Sequence, residues 1–163
     1  MSELTTCSNC DKGVTEDSDF CPHCGHLFKE MPPIQCETDS GIEATGVCII
    51  CHKLLCPQCE KIKDNRVFCI EHEDVEVEED WAMVIESITI SEAETTKYFL
   101  DKNGFRTITM KSEIGTQGDG TINIFVSLPD YLPAKINAQK GSSMNLIMNR
   151  VVYGCINTLF SLR

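Results

Sequence analysis

Between Cys7 and His72 the chain carries six pairs of side chains able to donate to a cation, each pair separated by two residues: Cys7/Cys10, Cys21/Cys24, Cys36/Asp39, Cys48/Cys51, Cys56/Cys59 and Cys69/His72. A two-residue gap in a tight turn lets both side chains face one tetrahedral ion, which is why C-x2-C is the elementary unit of structural zinc sites. The pairs supply twelve ligands, enough for three zinc ions.

Little else in this segment can hold a fold together. Ten of the eleven cysteines precede residue 70, and large apolar side chains are sparse there. A segment of that size and composition buries too little surface to fold alone and needs disulfides or metals as staples. The chain opens Met1-Ser2-Glu3, without the basic region and apolar run of a signal peptide, so a reducing, cytoplasmic setting is expected. In that setting cysteines at two-residue spacing bind metal.

Charge is unevenly spread. Residues 1–80 hold six Lys/Arg against eighteen Asp/Glu, net −12, and residues 81–163 hold eight against seven, net +1, which together give the −11 of the whole chain. A zinc ion held by four thiolates adds about −2 to a count that treats thiols as neutral, so metal makes the first part more acidic still. Phosphate backbones are repelled by such a surface, and nucleic acid is not an expected partner.

Five segments follow from composition. Residues 1–30 read as a zinc ribbon, with Cys21-Pro22-His23-Cys24-Gly25 as its second half. Gly25 permits the φ > 0 turn that aims backbone N–H groups at thiolate sulfur, and Pro22 stiffens the approach. Met31-Pro32-Pro33 disfavours helix and is expected to separate this module from residues 34–73. Residues 74–80 lie in an acidic run, Glu71 to Asp80, that reads as a solvated linker.

Residues 81–140 change character. Trp81 to Ile90 predicts a strand, and Ser91-Glu92-Ala93-Glu94 a capping box that opens a helix ended at Asn103-Gly104. Phe105 to Met110 predicts a second strand and Gly115 to Gly120 a hairpin turn. Ile122, Ile124, Val126 and Leu128 alternate as one buried face of a third strand, and Asp130 caps a second helix. The expected order is β-α-β-β-α, an α+β unit. Residues 141–163 place Met144, Ile147, Met148, Val151, Cys155 and Leu159 at helical spacing, an amphipathic helix able to pack on that unit or on a second copy of the chain. Asn149 and Arg150 interrupt it, which argues against a bilayer span.

Two resemblances add to this reading. The run CETDSGIEATGVCIICHKLLCPQCEKIKDNRVFCIEH, residues 36–72, resembles a prokaryotic B-box-type zinc finger. That family cross-braces its ligands, which implies one ion held by Cys36, Asp39, Cys56 and Cys59 and another by Cys48, Cys51, Cys69 and His72. Asp39 departs from the His or Cys usual there; a carboxylate is accepted by zinc but makes a harder, weaker site, and Glu37, Glu43 or a water could stand in for it. Further on, SEAETTKYFLDKNGF and INIFVSLPDYLPAK resemble a small bacterial domain classed as a signal-transducing protein, which brings no agreed activity with it.

The chemistry expected is binding. Sites closed by four protein ligands leave no position for substrate, no histidine follows His72 to activate Cys155, and Gly115 to Gly120 precedes no helix that could cradle phosphate. Redox use of Cys21/Cys24 or Cys56/Cys59 would need a pair free of other ligands, and iron in the first site would need an aromatic shield for which only Phe20 and Phe28 are at hand. His23, His26 and His52 read as neighbours of the ligands. The expectation is a non-catalytic zinc-binding adaptor or regulatory protein with a protein partner, ahead of a nucleic-acid-binding ribbon or a thiol redox protein.

Overall fold

The computed structural model describes residues 4–28, 34–87, 89–111 and 121–140, and the chain splits into two compact units, Met1–Glu76 and Val77–Arg163. The first is built from short hairpins. Strands β1 (Leu4–Thr6) and β2 (Gly13–Thr15) pair antiparallel, as do β3 (Gly46–Val47) with β4 (Leu54–Leu55) and β5 (Glu60–Lys63) with β6 (Arg66–Cys69). The β5/β6 hairpin turns through Asp64 and Asn65, both at positive φ (50° and 59°), the two-residue turn whose twist matches paired strands. Its interior is made of Val47, Ile49, Ile50, Leu55, Val67 and Phe68 packed among the cysteines.

Three of the cysteine pairs adopt one and the same turn. In each, the residue after the second cysteine has positive φ and donates its N–H to the carbonyl of the first: Asp11 to Cys7 at 2.9 Å, Gly25 to Cys21 at 2.8 Å, His52 to Cys48 at 2.8 Å. The N–H of the first cysteine then reaches the next residue's carbonyl, Lys12, His26 and Lys53 respectively. The turn bends the chain back on itself and leaves both sulfurs on its inner side.

The ribbon and the segment that follows it are not separate. Val67 N–H donates to the Cys24 carbonyl at 2.9 Å, Val47 N–H to the Gly25 carbonyl at 2.8 Å, and His26 bridges Gly46. Asn65 Nδ2 donates to the Asn9 carbonyl at 2.6 Å. The expected separation at Met31-Pro32-Pro33 is therefore replaced by a shared backbone ladder; the prolines themselves lie outside the described residues. Gly25 (φ 78°) allows this approach, since a Cβ there would lie 2.0 Å from the Val47 carbonyl oxygen.

In the second unit, β7 (Val77–Glu78), β8 (Trp81–Ser87), β10 (Ile122–Ser127) and β9 (Thr107–Lys111) form an antiparallel sheet in that order. Helix α1 (Ile90–Lys102) packs against it through Ala93 and Leu100, and residues 131–140 form a second helical stretch that buries Tyr131, Ala134 and Ala138. Lys135 from that stretch donates to the Val84 carbonyl at 2.8 Å.

Several boundaries differ from the sequence reading. The acidic run is not a free linker throughout: Val75 is buried, and Val77–Glu78 pair with Trp81 and Ala82 through a turn at Glu79 (φ 53°), because valines alternate with the acids. Strand β8 stops at Ser87, and α1 begins at Ile90 with Thr89, not Ser91, as its cap; Thr89 Oγ1 accepts from Glu92 N–H at 3.2 Å. Two overlapping boxes compete, Thr89-x-x-Glu92 and Ser91-x-x-Glu94, and the earlier one wins. Thr89→Ala should cost about 1 kcal/mol and Ser91→Ala nearly nothing, read from denaturation followed by Trp81 fluorescence; equal costs would refute the assignment.

The second strand starts later than expected, at Thr107. In β10 three successive residues are buried, Ile124, Phe125 and Val126, because a bulge at Ile124/Phe125 resets the alternation. Asp130 lies within a 3-10 turn, Leu128–Asp130, and accepts from the Ser127 hydroxyl at 2.6 Å instead of standing ahead of the helix. The turn expected at 115–120 and the helix expected at 141–163, with Cys155 and any self-association through it, lie outside the described residues.

Candidate metal centres

The first cluster joins the two halves of the ribbon. Cys7, Cys10, Cys21 and Cys24 place their sulfurs within 4.8 Å of one another. Cys7 Sγ lies 3.8 Å from Cys24 Sγ, and Cys10 Sγ 3.6 Å from Cys21 Sγ. A tetrahedron with metal–sulfur bonds of about 2.3 Å has sulfur–sulfur edges of about 3.8 Å, whereas a disulfide bond is about 2.05 Å. The ten described cysteines are all free. Val14 is buried among these sulfurs and Phe28 packs against them, so three of the four are fully shielded.

The second cluster is Cys48, Cys51, Cys69 and His72. Cys51 Sγ is 3.7 Å from Cys69 Sγ, and His72 Nδ1 is 3.8 Å from Cys48 Sγ and 3.1 Å from Cys69 Sγ. Edges between sulfur and nitrogen ligands of zinc are about 3.6 Å, and the two His72 distances straddle that value. Burial lowers the His72 pKa, which keeps the imidazole neutral and able to donate a lone pair. A surface pair, Lys53 Nζ to Glu71 Oε2 at 2.9 Å, braces the rim.

The third cluster is Cys36, Cys56 and Cys59, with Asp39 beside them. Asp39 Oδ2 lies 3.0 Å from Cys59 Sγ and 3.5 Å from Cys56 Sγ, while Asp39 N–H points to Cys36 Sγ at 3.4 Å. Neither alternative carboxylate replaces it. Glu37 Oε1 accepts from Leu54 N–H at 3.0 Å, and Glu43 is exposed in a bridge to Gln35.

The thiols are electrostatically mismatched without a cation. Hydrogen bonding to Asp39, then burial, pushes Cys59 up to about 12; burial, reinforced by the Cys48 charge, pushes Cys51 up to about 12. Burial also pushes Cys21 up. At Cys36 burial is outweighed by N–H groups of Asp39, Thr38 and Cys56, leaving the thiol at about 7, and at Cys7 by those of Asn9 and Cys10. Each cluster thus crowds groups that cannot all ionise together in a low-dielectric site, and a divalent cation relieves that conflict.

One comparison bears on these clusters. A family model described as a zinc-ribbon domain matches residues 3–28. The match spans the whole first cluster, and with the other donor sets it supports zinc binding by this chain. No match was found among curated proteins or solved structures.

All twelve residues singled out by spacing therefore lie at or beside one of three donor sets. The pairs alternate, first with third and second with fourth, after the ribbon. His23, His26 and His52 belong to none of these sets. His26 stacks edge-on near Phe28 at 6.2 Å and His52 near Phe20 at 5.6 Å. Spacing did not reveal the ladder linking Cys24 and Gly25 to Val47 and Val67; the glycine was the visible trace of it, but its partners are remote in sequence.

Proposed function

We propose that the chain is a non-catalytic zinc-binding adaptor in which residues 7–72 form a recognition module fixed by three zinc ions. The observation that carries this is the meeting of eleven of the twelve spaced donors in three compact sets, with sulfur–sulfur distances near the edge length of a metal tetrahedron and Asp39 beside the third set. Cys7, Cys10, Cys21 and Cys24 would hold the first ion, Cys48, Cys51, Cys69 and His72 the second, and Cys36, Cys56, Cys59 and Asp39 the third. Zinc would supply cross-linking in place of a large core, and thiolate with imidazole is the donor chemistry that suits it.

The alternating pairing supports the resemblance of residues 36–72 to a cross-braced B-box finger. The second unit would serve regulation, as the resemblance to a signal-transducing domain implies. Free thiols support a reducing compartment such as the cytoplasm. No helix among the described residues is long and apolar enough to cross a membrane. The net −12 of residues 1–80 argues for a protein partner over nucleic acid. Turnover has little support, since four protein donors close the first and second sets and, among the described residues, no nucleophile or acid–base pair stands beside the third.

Native mass spectrometry of the purified chain tests the reading. Three zinc ions per chain are expected, falling to two in a Cys10→Ser/Cys21→Ser double variant. Two ions or fewer in both the wild-type chain and Asp39→Cys, or iron in place of zinc, would overturn it.

A further inference from the structure

The three donor sets are not alike. The first set has three fully buried sulfurs, while the second and third each combine two buried donors with two half-buried ones, the latter being Asp39 and Cys59 in the third. The third set is the one in which a carboxylate oxygen takes the place of a fourth soft donor or an imidazole. Its Oδ2 stands against two sulfurs, at 3.0 and 3.5 Å, yet only Cys36, Cys56 and Cys59 gather within 4.8 Å of one another, so the carboxylate borders the fourth corner without closing it.

Resting on the three-zinc reading, we propose that the third set is the chain's exchangeable divalent-cation position and that Asp39 is the ligand that yields. A carboxylate is harder than a thiolate and bonds zinc less covalently, so of the four donors Asp39 detaches at least cost. Its backbone is fixed by the N–H contact to Cys36 Sγ at 3.4 Å, which leaves the short side chain free to rotate away without disturbing the turn. Once it has done so, Glu37 is not at hand to replace it, because its carboxylate holds Leu54 N–H. Water or a competing chelator then gains the corner. The first and second sets are tied together by the ladder at Cys24, Gly25, Val47 and Val67, and the third is tied to the second where Glu60 pairs with Cys69, so what singles out the third set is its carboxylate donor.

The test uses the full, zinc-loaded chain, its ion count established by native mass spectrometry, exposed to a chromophoric chelator and to pulses of a thiol-alkylating reagent. One of three equivalents should transfer faster than the others by on the order of ten-fold, the lower end of what even an outer-shell change costs a metal site. The first thiols alkylated should be Cys36, Cys56 and Cys59. Asp39→Cys should merge the fast equivalent with the rest, and Asp39→Asn should speed it. Three equivalents leaving at one rate, or first alkylation at Cys7 to Cys24 or at Cys48, Cys51 and Cys69, would overturn the proposal while leaving three-zinc binding intact. A starting count of two ions in both wild type and Asp39→Cys would instead remove the three-zinc reading, and this inference with it. The alkylation order is read on the wild-type chain and so stands even if a variant fails to fold.

Discussion

Replacing Gly25 with alanine should destabilise the metal-binding unit by about 3 kcal/mol or more and weaken zinc retention at the first and second clusters together. Two costs add. A side chain at φ 78° is strained by about 1–3 kcal/mol, and the new Cβ would meet the Val47 carbonyl oxygen at 2.0 Å and Val67 Cβ at 2.9 Å. Overpacking of that kind costs about 1–3 kcal/mol and forces backbone movement. The equivalent turn positions show that φ alone does not demand glycine, since Asp11 and His52 take the same conformation with side chains. Gly25→Asn, which tolerates left-handed φ, should therefore be nearly as damaging as Gly25→Ala. Gly13→Ala is the control, because a Cβ at Gly13 meets nothing within 4 Å. Denaturation followed by far-ultraviolet circular dichroism, with chelator competition on the same samples, reads the effect. A Gly25→Ala protein that retains all its zinc at wild-type midpoint would show that the junction contributes nothing.

Removal of zinc should unfold residues 7–72 and leave the sheet-and-helix unit standing. Structural zinc contributes about 10 kcal/mol or more per site in finger peptides, whereas the described apolar interior of the first unit amounts to a handful of side chains around Phe68 and Leu55. The second unit has its own interior, with Val84, Leu100, Ile124 and Val126 essentially inaccessible. The chain labels its units conveniently: its single Trp and all three Tyr follow residue 80. On adding a strong chelator under reducing conditions, amide signals of the first unit should collapse to the random-coil range while Trp81 emission and the aromatic circular dichroism persist. A red shift of Trp81 emission in step with that collapse would mean that the two units share one stability.

The donors were legible because their signal is local. A C-x2-C turn is encoded within five or six residues, and its geometry repeats at Cys7, Cys21 and Cys48. The assignment of Asp39 over Glu37 could not be settled at that level, since it depends on where Leu54 N–H falls. Helix α1 was visible from its capping-box residues and its Gly104 exit (φ 87°), yet its cap was misplaced by two residues, where competing hydroxyls differ by less than sequence can weigh. The burial of Phe125 was hidden because a bulge breaks strict alternation without leaving a glycine or proline as a marker. The junction of the ribbon with the segment that follows it left the least trace in the sequence. Main-chain groups make it, and any residue other than proline carries the same N–H and carbonyl, so Val47 and Val67 look like ordinary strand residues.

Interleaved ligands also dictate the order in which the protein can be assembled as it leaves the ribosome. The ribbon's four thiols are complete once Cys24 has emerged, the carboxylate-bearing set closes at Cys59, and the set containing His72 must wait until last although its first cysteine, Cys48, appears before Cys56. A nascent chain thus passes through a stage in which Cys48 and Cys51 are exposed beside unsatisfied Cys56 and Cys59, and mispaired capture by one cation is the hazard that vectorial synthesis must outrun.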